Sequence, residues 1–437
     1  MSFNIATINE LCLYVTSGGT PLSKNENYYY PPEIPWLKTK EVNYCRIYET
    51  ETYISQEGLN NSSAKLIPAN SVIVAMYGQG DTAGRVAINK IPVSTNQACC
   101  NLIIDSKKAD YRFVYYALSN MYEKLVSLKN GGAQPNLNAG IIKNFEIPYP
   151  KIETQKKIAE ILSAYDDLIE NNQKQIKLLE EAAQRLYKEW FVDLHFPGYE
   201  STPITDGVPH GWGIGSLGEI ALFKRGKTIT KDQTIYGSTP VVAGGLEPAY
   251  YHNQANTIAP VITVSGSGAN AGFTRLYSVN VWASDCSYVD SQVTNNIYFV
   301  YCCLKDKTAE IDALQKGAAQ PHVYAKDINA IKLLIPNNDL LKQYNELVEC
   351  IFKKVKVLEM QNLQLKEARD RLLPKLMNGE IEVGMKKQET VKIDKFENIR
   401  KHWQNVPYDE DLPLAARSTG DISEETLEKL KEIAEEE

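Results

Sequence analysis

The sequence lacks the features of a membrane or secreted protein. No apolar run in its 437 residues approaches the roughly eighteen that a membrane-spanning helix needs. The first residues, MSFNIATINELCLYV, place no basic segment ahead of an apolar core, which argues against a signal peptide. The eight cysteines form no C-x-x-C pair, so we expect reduced, mostly buried thiols in a cytoplasmic protein without a membrane partner.

The chain also lacks the motifs of a self-sufficient enzyme or a metal site. Its five histidines are scattered singly, so no cluster of metal ligands is expected. The Gly-Lys-Thr at 226–228 resembles the end of a phosphate-binding loop, but Ala221 stands where that loop requires glycine. No E-x-K tripeptide of the usual metal-dependent nucleases occurs, and the Asn-Val-Pro-Tyr at 405–408 lacks one proline of the methyltransferase N-P-P-Y. We therefore expect a non-catalytic chain.

A strong charge bias is absent too. The formal net charge is −7, but residues 386–437 hold nine basic and fourteen acidic side chains, so the rest of the chain is nearly neutral. Overall charge neither supports nor excludes nucleic-acid binding, which would need a local basic face. The pattern at 422–433 predicts a short acidic helix in this tail, which either docks on a partner or stays solvated.

What the sequence does contain is an internal repeat. The glycines of MYGQGDTAGRVAI, at 76–88, recur 188 positions later in VSGSGANAGFTRL. GGAQP at 131–135 recurs 186 positions later as GAAQP, and each copy then reaches a proline and a long helical segment. A period near 190 residues is too long for a solenoid and indicates duplication. The repeated glycines are typical of tight turns, which either pack locally or allow close approach to a DNA backbone.

Two segments, 154–191 and 340–377, carry apolar residues at alternating spacings of four and three. This spacing predicts helices with a heptad seam. The first seam is broken at Asn172, and the second is broken mainly at Asn362 and again at Arg369.

An antiparallel pairing of these helices is testable from the sequence. Placing Asn172 opposite Asn362 aligns the remaining apolar positions and sets the ring of Tyr165 against the guanidinium of Arg369. Asparagines at seam positions fix register more often than they bind ligands. The alternative is that each helix packs on its own domain.

These patterns predict an α+β fold. Two similar mixed α/β domains are separated by two long helices that form an antiparallel coiled coil, with pseudo-two-fold symmetry inside one chain. The expected segments are the first mixed domain (1–150), the central spacer helix (151–196), the second mixed domain (197–336), the C-terminal spacer helix (337–385) and an acidic tail, partly disordered or partner-docking (386–437). A rod of about 55 Å then holds the domains apart. Because duplex DNA turns once in roughly 34 Å, this arrangement suits two separated half-sites.

Several further motifs occur in a fixed order along the chain. They are SGGTPLSKN (17–25), EIPWLKTKEV (33–42), MYGQGDTAGRVAI (76–88), STNQA (94–98), AQPNLNAGIIKNFEIPYP (133–150), IETQKKIAEIL (152–162), GWGIGSLGEIALFKRGKT (211–228), SGSGANAG (265–272), AAQPHVYAKDINAIKLLIP (318–336) and RDRLLPKLMNGEIEV (369–383). Together they resemble the specificity (S) subunit of type I restriction–modification systems. The likeness covers roughly residues 5–385 and omits the tail.

This resemblance implies a division of labour. Two target-recognition domains each read one half of a bipartite sequence in double-stranded DNA, and the paired helices set the gap between the halves. Two modification (methyltransferase) subunits, one per pseudo-symmetric half, bind S-adenosylmethionine and methylate adenine. Restriction (translocase–nuclease) subunits supply the steps that need ATP and Mg²⁺. No catalytic residue, metal or cofactor is expected in this chain.

The DNA contacts are predicted from side-chain chemistry. Phosphates are bound by Lys, Arg and short polar groups, and bases are read mainly by Arg, Lys, Asn and Gln. The candidates are Ser23, Lys24, Lys38, Lys40, Tyr77, Arg85 and Gln134 in the first domain, and Lys224, Arg225, Lys227, Arg275, Gln320 and His322 in the second.

Two of these choices have open alternatives, and so does a tyrosine run that is not among the candidates. The basic cluster at 224–227 is either a phosphate contact or a solvated strand end. Gln134 and Gln320 lie beside matching prolines, which also suits a shared structural turn. The tyrosine run at 28–30 either packs at an interface or lines the DNA face.

Two rival functions remain at this point. A fused methyltransferase–nuclease with an unrecognised site would transfer methyl groups as the purified chain alone. A coiled-coil scaffold without DNA contact would shift no duplex, even with modification subunits present.

Overall fold

Two mixed domains with matching sheets are joined by long helices in this computed structural model, which describes residues 3–78, 80–130, 135–316 and 321–383. The expected acidic tail, 386–437, lies outside the described residues.

The first domain is built from three sheets. Its strands are β1 (Asn4–Thr7), β2 (Cys12–Ser17), β3 (Ile34–Leu37), β4 (Cys45–Ile47), β5 (Tyr53–Ile54), β6 (Val72–Ala75), β7 (Val86–Asn89), β8 (Ser94–Thr95), β9 (Cys99–Ile104) and β10 (Glu146–Tyr149). Its helices are α1 (Ile8–Leu11), α2 (Gln56–Asn60), α3 (Tyr111–Asn120), α4 (Tyr122–Val126) and α5 (Ala139–Lys143). The strand orders are β2-β9-β6-β7-β4, β5-β3-β8 and β1-β10.

The second domain follows the central helix α6 (Ile152–Tyr187), which continues as a π-helical turn, Lys188–Val192. Its strands are β11 (Ile204–Thr205), β12 (Val208–Pro209), β13 (Gly213–Ser216), β14 (Lys224–Arg225), β15 (Thr239–Val242), β16 (Tyr250–His252), β17 (Val261–Ser265), β18 (Thr274–Tyr277), β19 (Trp282–Ala283), β20 (Cys286–Asp290) and β21 (Lys332–Ile335). Its helices are α7 (Leu217–Ile220), α8 (Ile297–Asp306), α9 (Thr308–Ala313) and α10 (Ala325–Asn329), and the chain ends its described part with α11 (Asn338–Met377).

The sheets of the second domain repeat those of the first. The order β14-β20-β17-β18 matches β2-β9-β6-β7, and β16-β15-β19 matches β5-β3-β8. In both small sheets one pair is parallel, β3 with β8 and β15 with β19. The central strands β6 and β17 read VIVA and VITVS and are buried along their whole length, as an apolar run predicts. The α+β fold of two similar domains is confirmed.

The two long helices run antiparallel. Helix α6 has 36 residues and α11 has 40, and Asn337 caps α11 by accepting the Leu340 N–H at 2.9 Å. The rings of Trp190 and Tyr344 lie 5.9 Å apart near one end of the pair, and Asp166 binds Arg369 near the other. The first turns of α11 therefore lie beside the end of α6, and the last turns of α11 lie beside the first half of α6.

Each mixed domain shares its core with one end of this helix pair. Ile158 and Leu162 of α6 and Leu376 of α11 belong to the core of the first domain. Tyr187 of α6 and Tyr344 of α11 belong to the core of the second. Burial of these apolar side chains fixes the two domains at opposite ends of the helix pair.

No helix in the described ranges combines the length and the apolar content that crossing a membrane would require.

Candidate DNA interface and spacer

The basic cluster of the second domain lies on strand β14 and the loop after it. Lys224 and Arg225 are exposed and pair with Tyr288 and Ser287 of β20. Arg225 Nη2 lies 3.2 Å from Asp285 Oδ1, so its charge already has a carboxylate partner.

Lys227 follows this strand and is held differently. Its Nζ lies 5.9 Å from the centre of the Trp282 ring, a cation–π contact that leaves the ammonium protons available to a further acceptor. The backbone carbonyl of Lys227 accepts the indole N–H of Trp282 at 2.7 Å. The loop is thus fixed by its backbone while the charge stays at the surface.

His322 lies beside the repeated glycine turn. It forms isolated β-bridges with Ser267 and with Lys316, and its ring stacks on Tyr324 at 6.0 Å. The hydroxyl of Ser267 donates to Asp285, the carboxylate that also binds Arg225. The fold therefore brings two sequence candidates, Arg225 and His322, to the same glycine turn.

Arg275 does not join this group. Its Nη1 donates to the Leu246 carbonyl at 2.9 Å, and its guanidinium lies 4.9 Å from the Tyr277 ring centre. Glu247 Oε2 lies 3.4 Å from the same nitrogen. Because these donors are directed at the neighbouring loop, Arg275 holds that loop in place within the domain.

In the first domain, Arg85 is similarly occupied. It donates to Asn43 Oδ1 at 2.9 Å and to Asp81 Oδ1 at 2.5 Å, which ties the glycine turn to the segment before β4. The Arg85 guanidinium lowers the pKa of the Asp81 carboxyl. Tyr77 is half-buried against the core of the domain, and burial raises the pKa of its hydroxyl.

The remaining candidates of the first domain lie on its loops. Ser23 and Lys24 form an exposed turn, and Lys40 is paired with Glu51. Lys38 Nζ lies 5.0 Å from the centre of the Trp36 ring. Gln134 and Gln320 lie outside the described residues.

Sequence reasoning missed two tryptophans that organise these loops. The Trp36 indole N–H donates to the Gly19 carbonyl at 3.0 Å, as Trp282 does to the equivalent loop of the second domain. Trp36 lies on β3, whereas Trp282 lies on β19, the strand equivalent to β8. The two rings bind equivalent loops but lie on strands that are not equivalent. Neither tryptophan therefore has a counterpart at the matching sequence position of the other repeat.

The spacer places Asn172 opposite Asn362. Asn172 Nδ2 donates to Asn362 Oδ1 at 3.0 Å, and the two residues are only 7% and 8% exposed. A buried amide without a partner is costly, so this pair favours one register.

Leucine substitutions test this asparagine pair. Asn172→Leu or Asn362→Leu alone leaves one buried amide unpaired, and we expect each to lower the free energy of unfolding by about 1–3 kcal/mol. The double variant should cost less than the sum, and its helices should remain paired but without a unique register. Urea unfolding of all four proteins measures this coupling. Strictly additive losses would contradict it.

The predicted contact of Tyr165 with Arg369 is wrong. Among the described residues, no cation–π contact joins this ring and guanidinium. Arg369 Nη1 instead binds Asp166 Oδ1 at 2.6 Å, and Asp370 lies at 2.8 Å from Nη2. An ionised carboxylate attracts a guanidinium more strongly than a ring face does, and Asp166 follows Tyr165 directly in the helix.

Asp166 belongs to a charged junction between the first domain and the spacer. The Tyr116 hydroxyl also donates to Asp166, and burial raises the pKa of that tyrosine. Arg46 binds Asp167 and lies 3.6 Å from Glu170. Phe352, the residue 186 positions after Asp166, instead stacks on Tyr298 at 4.8 Å in the second domain. At these two equivalent positions the junction is therefore ionic in the first domain and aromatic in the second.

Substitution of Arg369 tests the ionic junction. Arg369→Met keeps an unbranched apolar stem but leaves Asp166 without its cation, and we expect a loss of about 1.5–3 kcal/mol in unfolding free energy. The loss should shrink as salt is added, because salt screens the lost attraction. Arg371→Met is the matched control: its 77% exposed side chain binds Glu367 on the surface. It should cost less than about 0.5 kcal/mol, and equal losses would contradict a special role for Arg369.

Within the described ranges, no group of three or more His, Cys, Asp or Glu side chains is arranged to hold a metal ion.

Comparison with known proteins places these features in a family. Residues 2–181 and 209–354 match the model of the type I restriction modification DNA specificity domain. The chain is 30% identical over 398 residues to the MjaIX type I restriction enzyme specificity subunit of Methanocaldococcus jannaschii, covering 84% of this chain and 91% of that protein. It is 26% identical to a putative type I specificity subunit of Mycoplasma genitalium, covering 68% of this chain and 79% of the relative.

A solved structure shows the same fold. The crystal structure of a type I restriction–modification S subunit from M. genitalium superposes with a TM-score of 0.53 at 21% identity, covering 86% of this chain and 96% of that one.

Proposed function

Since this chain belongs to the family of type I restriction–modification DNA specificity subunits, we propose that its two target-recognition domains, residues 1–150 and 197–336, read the two halves of one bipartite DNA target. Residues 151–196 and 337–385 are the spacer between them. The chain supplies specificity to a complex whose catalysis lies in other subunits, and it acts in the cytoplasm.

The observation that carries this proposal is the duplicated domain at opposite ends of an antiparallel helix pair. Leu162 and Tyr187 of α6 belong to the cores of the first and second domain, and they are 25 residues apart. That separation is about 38 Å along a helix. One turn of B-DNA is roughly 34 Å, so the two domains suit contacts on successive turns of the same duplex.

The environments of the basic side chains rank the DNA contacts. Lys24, Lys224 and Lys227 are exposed, whereas Lys38 is half-buried, and the ammonium groups of Lys38 and Lys227 lie over tryptophan rings. These four lysines are the phosphate contacts that we favour. The other candidates are Arg225, Arg85 and Lys40, whose carboxylate partners a phosphate would have to displace, together with Ser23, Tyr77, Gln134, Gln320, Arg275 and His322.

The spacer supports docking of the modification subunits. It exposes large apolar side chains that neither domain covers: Leu168, Leu178, Leu347, Val357, Met360 and Leu363. Apolar side chains on both helices offer one surface to each of two methyltransferase subunits. Those subunits would bring S-adenosylmethionine, and restriction subunits would bring the chemistry that needs ATP and Mg²⁺.

Mapping methylated adenines tests the proposal. The chain, produced together with its modification subunits, should methylate a single bipartite sequence with a constant gap between its halves. The purified chain alone, given S-adenosylmethionine, should transfer no methyl group. Methylation at a continuous, undivided sequence, or methyl transfer by the chain alone, would overturn the assignment.

A further inference from the structure

Each mixed domain carries one exposed tyrosine at the tip of an equivalent loop. Short 3₁₀ turns, Glu26–Tyr28 and Lys231–Gln233, precede β3 and β15 at the same distance along the chain. Tyr30 follows the first turn and is 76% exposed, and Tyr236 follows the second and is 100% exposed. A fully exposed ring forgoes the stabilisation that burial would give, and here the same feature occurs in both copies of the repeat.

The tip loop of the first domain is held by its neighbours. The hydroxyl of Tyr29 donates to the Pro21 carbonyl at 2.8 Å, and the Tyr29 ring meets Trp36 edge-on at 6.0 Å. The Tyr28 carbonyl accepts the Ser55 N–H at 2.9 Å. Tyr30 therefore projects from a restrained backbone, so little conformational entropy remains to be lost when its ring binds.

The tip loop of the second domain is held by different residues. The Ile235 N–H donates to Nδ1 of the buried His252 at 3.0 Å, and that ring meets Trp282 edge-on at 5.2 Å. Gly237 lies so close to the His252 carbonyl that a Cβ there would be 2.4 Å from it. Only glycine fits this approach, which fixes the backbone directly after Tyr236.

Both tips are anchored to the loops that carry the favoured phosphate contacts. The Trp36 ring contacts Tyr29 edge-on and lies under the Lys38 ammonium group, and its indole N–H donates to the Gly19 carbonyl. The Trp282 ring contacts His252, whose Nδ1 accepts the Ile235 N–H of the tip loop. The Trp282 indole N–H donates to the Lys227 carbonyl, and the Lys227 ammonium group lies over the Trp282 ring. In each domain one tryptophan therefore links the loop that carries the exposed tyrosine to a lysine ammonium group.

This combination suits DNA better than a protein partner. The lysine ammonium groups held over the two tryptophans suit the phosphates of DNA. Inside a duplex the base faces are covered by neighbouring bases, so an exposed ring reaches them by inserting at a base step and partly unstacking it. The tips lie on the two domains and not on the spacer, where the exposed leucines lie. Recurrence in both domains matches a ligand that presents two half-sites.

We propose that Tyr30 and Tyr236 insert as wedges at base steps of the two DNA half-sites, one ring per half, and help to determine specificity. This inference rests on the proposed function, because it needs each domain to read its own half. Double-stranded DNA is the occupant of both tips.

The test uses the complex with its modification subunits and a fluorescent duplex that contains the target found by methylation mapping. Tyr30→Ala and Tyr236→Ala should each weaken binding about tenfold, whereas Tyr30→Phe and Tyr236→Phe should stay within about twofold of the unchanged complex, since a wedge needs the ring alone. The slope of log K against log salt should not change, because no phosphate contact is lost. Tyr199→Ala, at a 40% exposed tyrosine between α6 and β11, is the control and should bind normally.

Base-pair changes in each half of the duplex complete the test. Tyr30→Ala should reduce discrimination only in the half read by residues 1–150, and Tyr236→Ala only in the other half. Unchanged affinity and discrimination in both alanine variants would overturn the inference, as would poor assembly with modification subunits while the assembled complex binds DNA normally. If the unchanged complex itself shows no preference for a bipartite target, the proposed function fails instead.

Discussion

Replacing residues 1–150 by the corresponding domain of a relative will change one half of the recognised DNA sequence and leave the other half unchanged. Strands β1 and β10 pair along their length, from Asn4 with Tyr149 to Thr7 with Glu146. The exchanged segment therefore begins and ends in two strands that are hydrogen-bonded to each other. We expect the hybrid complex to prefer its new half-site over the old one at least about a thousandfold, because specific and non-specific affinities differ that widely. Mapping methylated adenines measures the outcome.

The exchange needs one precaution at the ionic junction. Arg46 and Tyr116 of the exchanged domain bind Asp167 and Asp166 of the spacer. A donor domain without these two side chains would remove the cation that binds Asp167 and leave Asp166 with Arg369 as its partner, so the hybrid should retain both. The reciprocal exchange of residues 197–336 is the control and should change only the other half. A change in both halves after either exchange would contradict independent reading by the two domains.

Phe299→Ala will give the largest loss of stability among the single substitutions proposed. Phe299 is fully buried, and its ring lies 4.9 Å from Phe191 and 5.4 Å from Tyr187, both at the end of the spacer. Removing such a ring leaves a cavity, and we expect a loss of about 3–5 kcal/mol. Urea unfolding followed by tryptophan fluorescence is a suitable measurement, because Trp190 and Trp212 lie in the same cluster.

A second phenylalanine of the same domain is the matched control. Phe273 follows the glycine turn and is 37% exposed, so Phe273→Ala should cost less than about 1 kcal/mol. Equal losses for the two variants would show that the aromatic junction contributes no special stability. A loss in Phe299→Ala should also make the second domain the first part of the chain to exchange its amide hydrogens.

The duplication and the long helices were predictable because they are periodic. The repeated glycine turn and the heptad seams depend on spacing along the chain, and spacing is visible in one sequence. The helix boundaries differ slightly: α6 begins at Ile152, before the expected 154, and its last residues become a π-helical turn. Asn172 could be matched with Asn362 because a buried amide needs a polar partner and few seam positions offer one.

The candidate DNA contacts were predictable by residue type and not by environment. Lys227 and Arg275 are both basic residues of the second domain, yet Lys227 lies at the surface over Trp282 and Arg275 is directed at the Leu246 carbonyl. Nothing in the spacing of these residues distinguishes them. The exposed tips at Tyr30 and Tyr236 share a place in the fold but no common motif.

The sequence by itself determined the plan of this protein: two copies of one domain, a helix after each, and an antiparallel pairing through two asparagines. Local periodicity and repetition suffice for these features. Only the tertiary structure decided which charges stay available and how each domain is joined to the spacer. Arg46 and Asp167 are 121 residues apart, and Asp166 and Arg369 are 203 apart. Asn172 and Asn362 are as far apart, but both lie on the periodic seams of the long helices. Arg46 and Asp166 belong to no such pattern, so the sequence does not reveal their partners.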